Sequence, residues 1–353
     1  MRTVIAAAAL AVAIPVSNPV VAQTMKLTVA GAAPPTVTPS KVTKEFFVPE
    51  VTKRLAASGQ NFKIEWTEAY SQTLVKFTEV LEAVEEGVAH VAVMLKNFEE
   101  SKLPLEQYVA MIPFGPADTV LQSRIDERVR QRVPEMDAVF AKYNQVVLSH
   151  APSEAQQLFT KFPVLKVEDM QGKKIGSSGS LGQVLHGTGA VIVQSNMLAS
   201  FNDIKSGVYD GYPISAGLAF PYKTYQAAPN AAIIDFGAPM VGSLVVNKKT
   251  WDALPPHAKK IFQDVAKEWV TVYINTEKER AKLAIEQMKK ENVKFSEIPF
   301  EERRRWAMKM PNIAKEWADA LEKQGHPARK VLNAYMEEMR AAGVKTVRDW
   351  DKE

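Results

Sequence analysis

The chain has 353 residues, contains no cysteine and carries a formal net charge of +4 at pH 7. A chain without cysteine has no thiol nucleophile, thiolate metal site or disulfide, and one of this length buries enough core to fold without disulfides. Acidic and basic residues are mixed along it with no basic arm, which argues against nucleic-acid binding.

Residues 1–22 have the pattern of a cleavable signal peptide. Arg2 is followed by an apolar run of about thirteen residues, and small side chains precede a cleavage site between Ala22 and Gln23. A membrane-spanning helix needs about 20 apolar residues, and Pro15 interrupts this run too early. We therefore predict export, cleavage and a mature protein that is free in the periplasm.

After the signal peptide, short β-rich runs alternate with stretches of helical periodicity. Strands are predicted at residues 26–30, 62–66, 90–94, 145–149, 174–175, 191–193, 231–234 and 242–247. Between the second and third of these, apolar residues recur at the spacing of a helix, at Leu74, Phe77, Leu81 and Val84. Strands that alternate with helices predict α/β lobes with largely parallel sheets.

A long helix is predicted after Pro255 and Pro256. Its apolar positions keep a period of 3.6 residues until about Glu291, at Ile261, Phe262, Val265, Trp269, Val272, Tyr273, Leu283, Ala284 and Met288. A helix of about 34 residues is roughly 50 Å long, which exceeds one lobe of a chain of this size. Two further helices are predicted at residues 301–324 and 327–343.

Three motifs lie between residues 169 and 255. They read DMQGKKI from Asp169, GVYDG from Gly207, and VNKK followed by WDALP between Val246 and Pro255. In sequence and spacing they resemble motifs of the TRAP-transporter solute-binding proteins, the DctP-like family. The resemblance extends over most of the mature chain.

That resemblance implies an α/β fold: a two-lobed periplasmic binding protein, class II-like and hinged, with the long helix spanning both lobes. The implied parts are a signal peptide at 1–22, a first lobe at 23–148 to which 238–256 returns, a second lobe at 149–237, and the spanning helix with C-terminal helices packing on both lobes at 257–353. It also implies a monomeric receptor without a cofactor. Such a receptor delivers a small solute to the small and large integral-membrane subunits of a TRAP transporter.

Nothing in the sequence indicates catalysis or a metal site. The five histidines are scattered, with no pair at metal-ligand spacing on one helix. The Gly/Ser stretch at 176–182 is not a dinucleotide motif, and the chain has no G-x-S-x-G motif of a serine hydrolase. A secreted enzyme is therefore the least favoured function, whereas a receptor coupled to a sensor would have the same sequence features.

Four positions depart from the ligand-binding pattern that the resemblance implies. An arginine that would bind a ligand carboxylate is replaced by Gly176, and a second arginine by Gln156. A further polar position is Ile214, and an aromatic position is Met197. Because none of these side chains can form an arginine's paired hydrogen bonds to a carboxylate, we predict weak or no binding of succinate, malate and fumarate.

Candidate ligand contacts lie at or just after strand ends, where open α/β sheets bind their ligands. The aromatic candidates are Tyr70, Phe98, Tyr212 and Phe236. A turn of small residues that includes Ser177 and Ser178 follows the strand at 174–175 and offers backbone N–H groups to an anion. An ordinary serine N-cap without a ligand is the alternative for this turn.

Two classes of ligand remain open. One is a monocarboxylate with an apolar or aromatic body, its charge bound by the N–H groups of 177–180 with help from Lys76. The other is an uncharged polar or aromatic solute held by Gln72, Asn97, Gln156 and Tyr212. We favour the small organic acid, since TRAP systems mostly carry acids and the aromatic residues suit a ring.

Overall fold

The computed structural model describes residues 23–239 and 241–353, so the predicted signal peptide at 1–22 lies outside the described residues. The strands are β1 (Gln23–Gly31), β2 (Phe62–Ala69), β3 (Val91–Leu95), β4 (Gln145–Ala151), β5 (Gln157–Thr160), β6 (Lys174–Ser177), β7 (Val191–Gln194), β8 (Gly211–Ile214), β9 (Asn230–Ile233), β10 (Gly242–Asn247) and β11 (Lys294–Glu297). They form two sheets, the first in the order β2-β1-β3-β10-β4 and the second in the order β11-β9-β5-β8-β6-β7.

Each sheet contains one described strand that runs against its neighbours. In the first sheet β10 is antiparallel to β3 and β4, while β1 runs parallel to β2 and β3. In the second sheet β5 is antiparallel to β8 and β9, while the other pairs are parallel. The sheets are therefore mixed, rather than largely parallel as the alternation of strands and helices predicted.

The two exceptional strands are those that the chain enters through its two short crossings between the sheets, whereas the third passage, from β10 to β11, runs through the helices at Lys248–Ala253 and Pro256–Lys290. The chain leaves the first sheet at the end of β4 and enters the second at β5, and it returns from the end of β9 to the start of β10. A strand that starts at this junction points away from it, whereas β4 and β9 point toward it. The carboxyl ends of the parallel strands of both sheets therefore face the region where the chain crosses.

The helices cover the faces of both sheets. They are α1 (Thr38–Val42), α2 (Val48–Ala57), α3 (Val80–Glu85), α4 (Tyr108–Met111), α5 (Thr119–Arg132), α6 (Glu135–Lys142), α7 (Ser200–Ser206), α8 (Ala216–Ala219), α9 (Thr224–Ala227), α10 (Lys248–Ala253), α11 (Pro256–Lys290), α12 (Phe300–Lys309), α13 (Ile313–Glu322) and α14 (Ala328–Ala341). A π-helical turn (Thr43–Phe47) and four 3₁₀ turns (Lys96–Phe98, Pro104–Gln107, Val167–Met170 and Gly179–Leu185) complete the described elements.

Most predicted elements form, with two kinds of difference. All the predicted strands are present, but β5, β8 and β11 were not predicted. β8 contains Gly211 and Pro213, which are depleted in strands, and β5 and β11 have no more than two apolar residues each. The single helix expected at 301–324 is two helices, α12 and α13. Pro311 lies between them and has no N–H group for a helical hydrogen bond.

Helix α11 connects the two lobes. It has 35 residues without an internal glycine or proline and is about 50 Å long. Its N-terminal part buries Phe262 and Trp269 in the core of the first lobe, and its C-terminal part buries Ala284 and Met288 among aromatic residues of the second lobe. The predicted helix that spans both lobes is therefore confirmed. Within residues 23–239 and 241–353, none of the helices has both the length and the apolar character that crossing a membrane requires.

Candidate functional site

A cavity of about 330 Å³ lies between the two lobes. It is lined by residues at or next to strand ends, including Leu95 of β3, Ser178 after β6 and Ile214 of β8, and by the middle of α11. The lining is mostly apolar and aromatic, with a few polar side chains. A volume of roughly 300 Å³ or more and such a lining are typical of a small-molecule site.

Part of the predicted ligand-binding set lines this cavity: Asn97, Phe98, Gln156, Ser178, Met197 and Tyr212. The ring of Phe98 stacks on that of Phe77, with centroids 4.8 Å apart. The Tyr212 hydroxyl lies beside Ser178, and burial raises the pKa of Tyr212 to about 12. These residues come from both lobes, so a single solute could contact all of them.

The rest of the predicted set lies outside the lining of this cavity: Tyr70, Gln72, Lys76, Gly176, Ser177 and Phe236. Tyr70 and Ser177 are buried, Gln72 is exposed, and the exposed Lys76 pairs with Glu79 at 3.1 Å. Phe236 borders a smaller adjoining pocket and packs edge-on against Phe114 and Trp306. Direct contact between a ligand and these six residues stays a prediction, because the structure does not bring them together at the cavity.

Gly176 lies in β6 directly against the ring of Tyr209. A Cβ atom built on Gly176 would overlap this ring. Tyr209 is fully buried, and its hydroxyl shares a hydrogen bond of 3.0 Å with the hydroxyl of Ser195. The ring therefore fills the space that a longer side chain would need at the position where the sequence resemblance implies an arginine.

Gly176→Ala should lower the free energy of unfolding by about 1–3 kcal/mol, because the added methyl group overpacks a buried site. Urea denaturation of the purified mature protein measures the change. Gly182→Ala is the matched control, since its Cβ would find its nearest neighbour, the Ser177 hydroxyl, at 3.2 Å. A loss no larger for Gly176→Ala than for this control would contradict the packing argument.

The Gly/Ser turn is already in contact with a carboxylate of the protein. The backbone N–H and the hydroxyl of Ser180 both donate to Oε1 of Glu100, each at 3.1 Å. Glu100 follows β3 in the first lobe, whereas Ser180 follows β6 in the second. The helix after the turn is a 3₁₀ segment of seven residues rather than an α-helix. The predicted anion site is thus occupied in part by a side chain of the opposite lobe.

A charge cluster that the sequence did not predict lies at the base of the cavity on α11. Arg280 donates from Nη1 to Oγ1 of Thr38 at 3.0 Å, and from Nη2 to Oε1 of Glu154 and to Oε2 of Glu277, both at 2.9 Å. Oε2 of Glu154 in turn accepts from the backbone N–H of Gly217 at 2.9 Å. The cluster therefore joins the first lobe, the crossing segment, the second lobe and α11.

The cluster contains two carboxylates and one guanidinium. Among the described residues that line the cavity, Arg280 is the only one with a positive charge. Glu277 is 2% exposed. Burial raises the pKa of Glu277 to about 7, with Glu154 acting in the same direction and Arg280 against it. The Glu277 carboxyl group, which faces the cavity, is therefore partly protonated at neutral pH.

The helical period contained the signal for this cluster. Tyr273, Glu277, Arg280, Ala284 and Met288 recur three or four residues apart and lie on one face of α11. The predicted apolar stripe included Tyr273, Ala284 and Met288 but not Glu277 or Arg280, which lie between them on the same face. It also included Leu283, which is 55% exposed. A charged pair that continues a buried stripe is unusual and indicates a polar site against that face of the helix.

Glu106 also lines the cavity, and a second charge cluster neutralises it from behind. Arg130 of α5 donates to both carboxylate oxygens of Glu106, at 2.9 and 2.6 Å, and to Asp126 at 2.8 Å. The ammonium group of Lys96 contacts the same carboxylate of Glu106. Burial opposes the charge, but Arg130 and Lys96 together hold the pKa of Glu106 well below its usual range.

Comparison with known proteins identifies the family. The sequence pattern of DctP, described as "Bacterial extracellular solute-binding protein, family 7", matches residues 37–320. A search of curated proteins found no match to the chain.

Solved structures with the same fold are numerous. A TRAP periplasmic solute binding protein from Desulfovibrio salexigens is 19% identical with a TM-score of 0.78, over 91% of this chain and 98% of its own. An extracytoplasmic solute receptor from Bordetella pertussis that binds pyroglutamic acid is 20% identical with a TM-score of 0.73, over 89% and 100%. A TRAP solute binding protein from Sulfitobacter sp. with bound β-D-galacturonate is 16% identical with a TM-score of 0.72, over 88% and 100%.

The likeness to these structures shows the two-lobed α/β fold that the sequence predicted. The family match covers both lobes and all of α11. Members of this family bind solutes and do not catalyse reactions. The chain therefore belongs to family 7 of the bacterial extracellular solute-binding proteins and is a solute receptor of the TRAP type rather than an enzyme.

Proposed function

We propose that this receptor captures a small organic acid with a single carboxylate and an apolar or aromatic body. The observation that carries the proposal is Arg280, the only cation among the described residues that line the cavity. Family members are periplasmic and work with membrane subunits. We propose the same setting here: release into the periplasm after cleavage at Ala22, and delivery to the small and large subunits of a TRAP transporter.

The lining supports the apolar or aromatic body. Phe77 and Phe98 form a stacked pair on the side of the first lobe, and Tyr212 and Tyr222 lie on the side of the second. Aromatic faces of this kind bury a large area of a ring or an alkyl chain, and Tyr hydroxyl groups provide polar contacts at its edge. The relatives bind other acids, pyroglutamate and galacturonate among them.

The charges of the site support one carboxylate rather than two. A second carboxylate would lose its hydration without a cation to pair with it, because the other charged residues in the described lining, Glu106 and Glu277, are both acidic. Burial of an unpaired charge costs several kcal/mol. Gly176 and Gln156, at the positions where the resemblance implies arginines, leave the cavity without that second cation.

An uncharged solute is the second candidate, and one observation favours it. In the structure Arg280 is already paired with Glu154 and Glu277. Asn97, Gln156 and Tyr212 line the same cavity and could bind an uncharged polar solute by hydrogen bonds. The two candidates differ in whether replacing the carboxylate of a ligand by an amide weakens its binding.

Calorimetric titration with matched pairs separates the candidates. The panel holds benzoate, phenylacetate and hexanoate, the amide of each, and succinate and malate as dicarboxylates. We expect at least one monocarboxylate to bind about tenfold or more tightly than its amide, at about 1.4 kcal/mol per tenfold, and the dicarboxylates to bind weakly or not at all. Equal or tighter binding of the amides would favour the uncharged solute. A sub-micromolar dissociation constant for a dicarboxylate would contradict both candidates.

Arg280→Lys should weaken binding of the monocarboxylate by about tenfold or more. Lysine keeps the charge but loses the planar pair of donors that matches a carboxylate. The same titration measures the loss, and Arg128→Lys, at an exposed position on α5, is the control. Retention of full affinity by a folded Arg280→Lys protein would contradict the assignment of the carboxylate to this residue.

A further inference from the structure

The donors of Arg280 are nearly all in use. A guanidinium has five N–H donors. Nη2 uses both of its N–H groups, on Glu154 and Glu277, and Nη1 uses one on Thr38. Nε is buried without a partner beside Gly217, where a Cβ would come within 2.9 Å of it. A ligand carboxylate that takes two parallel hydrogen bonds from Nη1 and Nη2 must therefore displace one of the two glutamates.

Glu277 is the glutamate that faces the ligand. Glu277 and Arg280 both line the cavity, whereas Glu154 does not and is held from the other side by the N–H of Gly217 at 2.9 Å. Building on the proposed function, we propose that Glu277 is a specificity-determining residue that yields Arg280 to the ligand carboxylate and binds a proton in exchange.

The proton is required by the charges that surround Glu277. On its own helix Arg280 and Tyr273 face it, the crossing segment contributes Glu154, and α1 contributes the hydroxyl of Thr38. Arg280 is the only cation in this set. With a ligand bound, three carboxylates would share one guanidinium at a buried site, and the one that had lost its hydrogen bond would be an uncompensated buried charge. Protonation of Glu277 removes that charge.

The direction of the pKa shift of Glu277 agrees with the geometry. Burial already raises the pKa of Glu277 to about 7 before any ligand is present. Loss of the hydrogen bond to Arg280 and the arrival of a second negative charge both raise the pKa further. The receptor thus takes up an acid as an anion together with a proton. It discriminates against a second carboxylate, because the other carboxyl group in the described lining, Glu106, is held in its charged form by Arg130 and Lys96.

Phenylacetate is the probe, titrated into the mature wild-type protein and the Glu277→Gln and Glu279→Gln variants. Glu279 is exposed on the same helix and provides the matched control. Since the ligand-free carboxyl group loses its proton near neutral pH, wild-type affinity should fall about tenfold from pH 6 to pH 8. Glu279→Gln should behave like the wild type. Glu277→Gln should bind with little dependence on pH and more tightly than the wild type at pH 8.

A second measurement needs no variant. Titration of the wild type at pH 8 in two buffers of different ionisation enthalpy should show uptake of about one proton per phenylacetate bound, and much less uptake at pH 6. Binding of phenylacetate with the same affinity at both pH values and without proton uptake would overturn the exchange and leave the organic-acid function standing. If neither the wild type nor Glu277→Gln binds phenylacetate, benzoate or hexanoate at either pH, the acid function falls and the exchange falls with it.

Discussion

Arg130→Met should lower the free energy of unfolding by about 3–5 kcal/mol, the loss expected when one partner of a buried ion cluster is removed. Arg130 is 7% exposed and pairs with Glu106, Asp126 and Asp137. Methionine fills much of the same volume, so the loss comes from the carboxylates left behind. Lys96 still contacts Glu106, but Asp126 keeps only the hydroxyl of Tyr108, at 2.6 Å.

Urea denaturation at neutral pH measures this loss. Arg128→Met on the same helix is the control, because the Arg128 side chain is 58% exposed and its ion pair with Glu338 is 3.5 Å long. Exposed pairs of this kind contribute about 0–1 kcal/mol. Equal losses in the two variants would show that the cluster behind Glu106 contributes little to stability.

Glu277→Gln should change how the stability of the ligand-free protein depends on pH. The pKa of Glu277 rises on folding from 4.5 to about 7, so the native state holds this proton more tightly than the unfolded state. Stability from this group is present in full below pH 4.5 and is lost as pH rises toward 7, by on the order of 3 kcal/mol in total. The glutamine variant lacks this loss.

The measurement is the difference in unfolding free energy between Glu277→Gln and the wild type, followed from about pH 4.5 to 8 in urea. Other titrating groups are common to both proteins and cancel in the difference. The variant should gain relative to the wild type up to about pH 7 and change little above it. Glu279→Gln should give a flat difference, and a flat difference for Glu277→Gln too would mean that this carboxyl group is already ionised at acid pH.

The sequence predicted the fold well where a pattern extends over many residues. The long apolar period of α11 needs no tertiary information, and neither do the strands of the first lobe. The direction of β5 and β10 could not be predicted in that way. It follows from the two short crossings of the chain, after β4 and after β9, and a crossing leaves no local pattern in the residues that form it.

The site was harder to predict, because it depends on which side chains meet across the lobes. Absence of arginine at Gly176 and Gln156 was visible in the sequence, but the presence of Arg280 at the same cavity was not. Arg280 can be recognised as a cavity residue only when the position of α11 beneath both lobes is known. Likewise, the turn near Ser178 has the composition of an anion site, yet its partner Glu100 lies far away in the sequence, after β3.

The contact between Glu100 and Ser180 has a consequence for how tightly and how selectively the receptor holds its cargo. It links the two lobes directly, through groups that belong to the protein alone. Free energy gained from such a bridge would multiply the affinity for every solute by one common factor, about tenfold for each 1.4 kcal/mol. The ratios between solutes would stay the same. A substitution at Glu100 would then change the affinity for all solutes by the same factor. Substitutions at the base of the cavity would change the ratio of affinities between solutes.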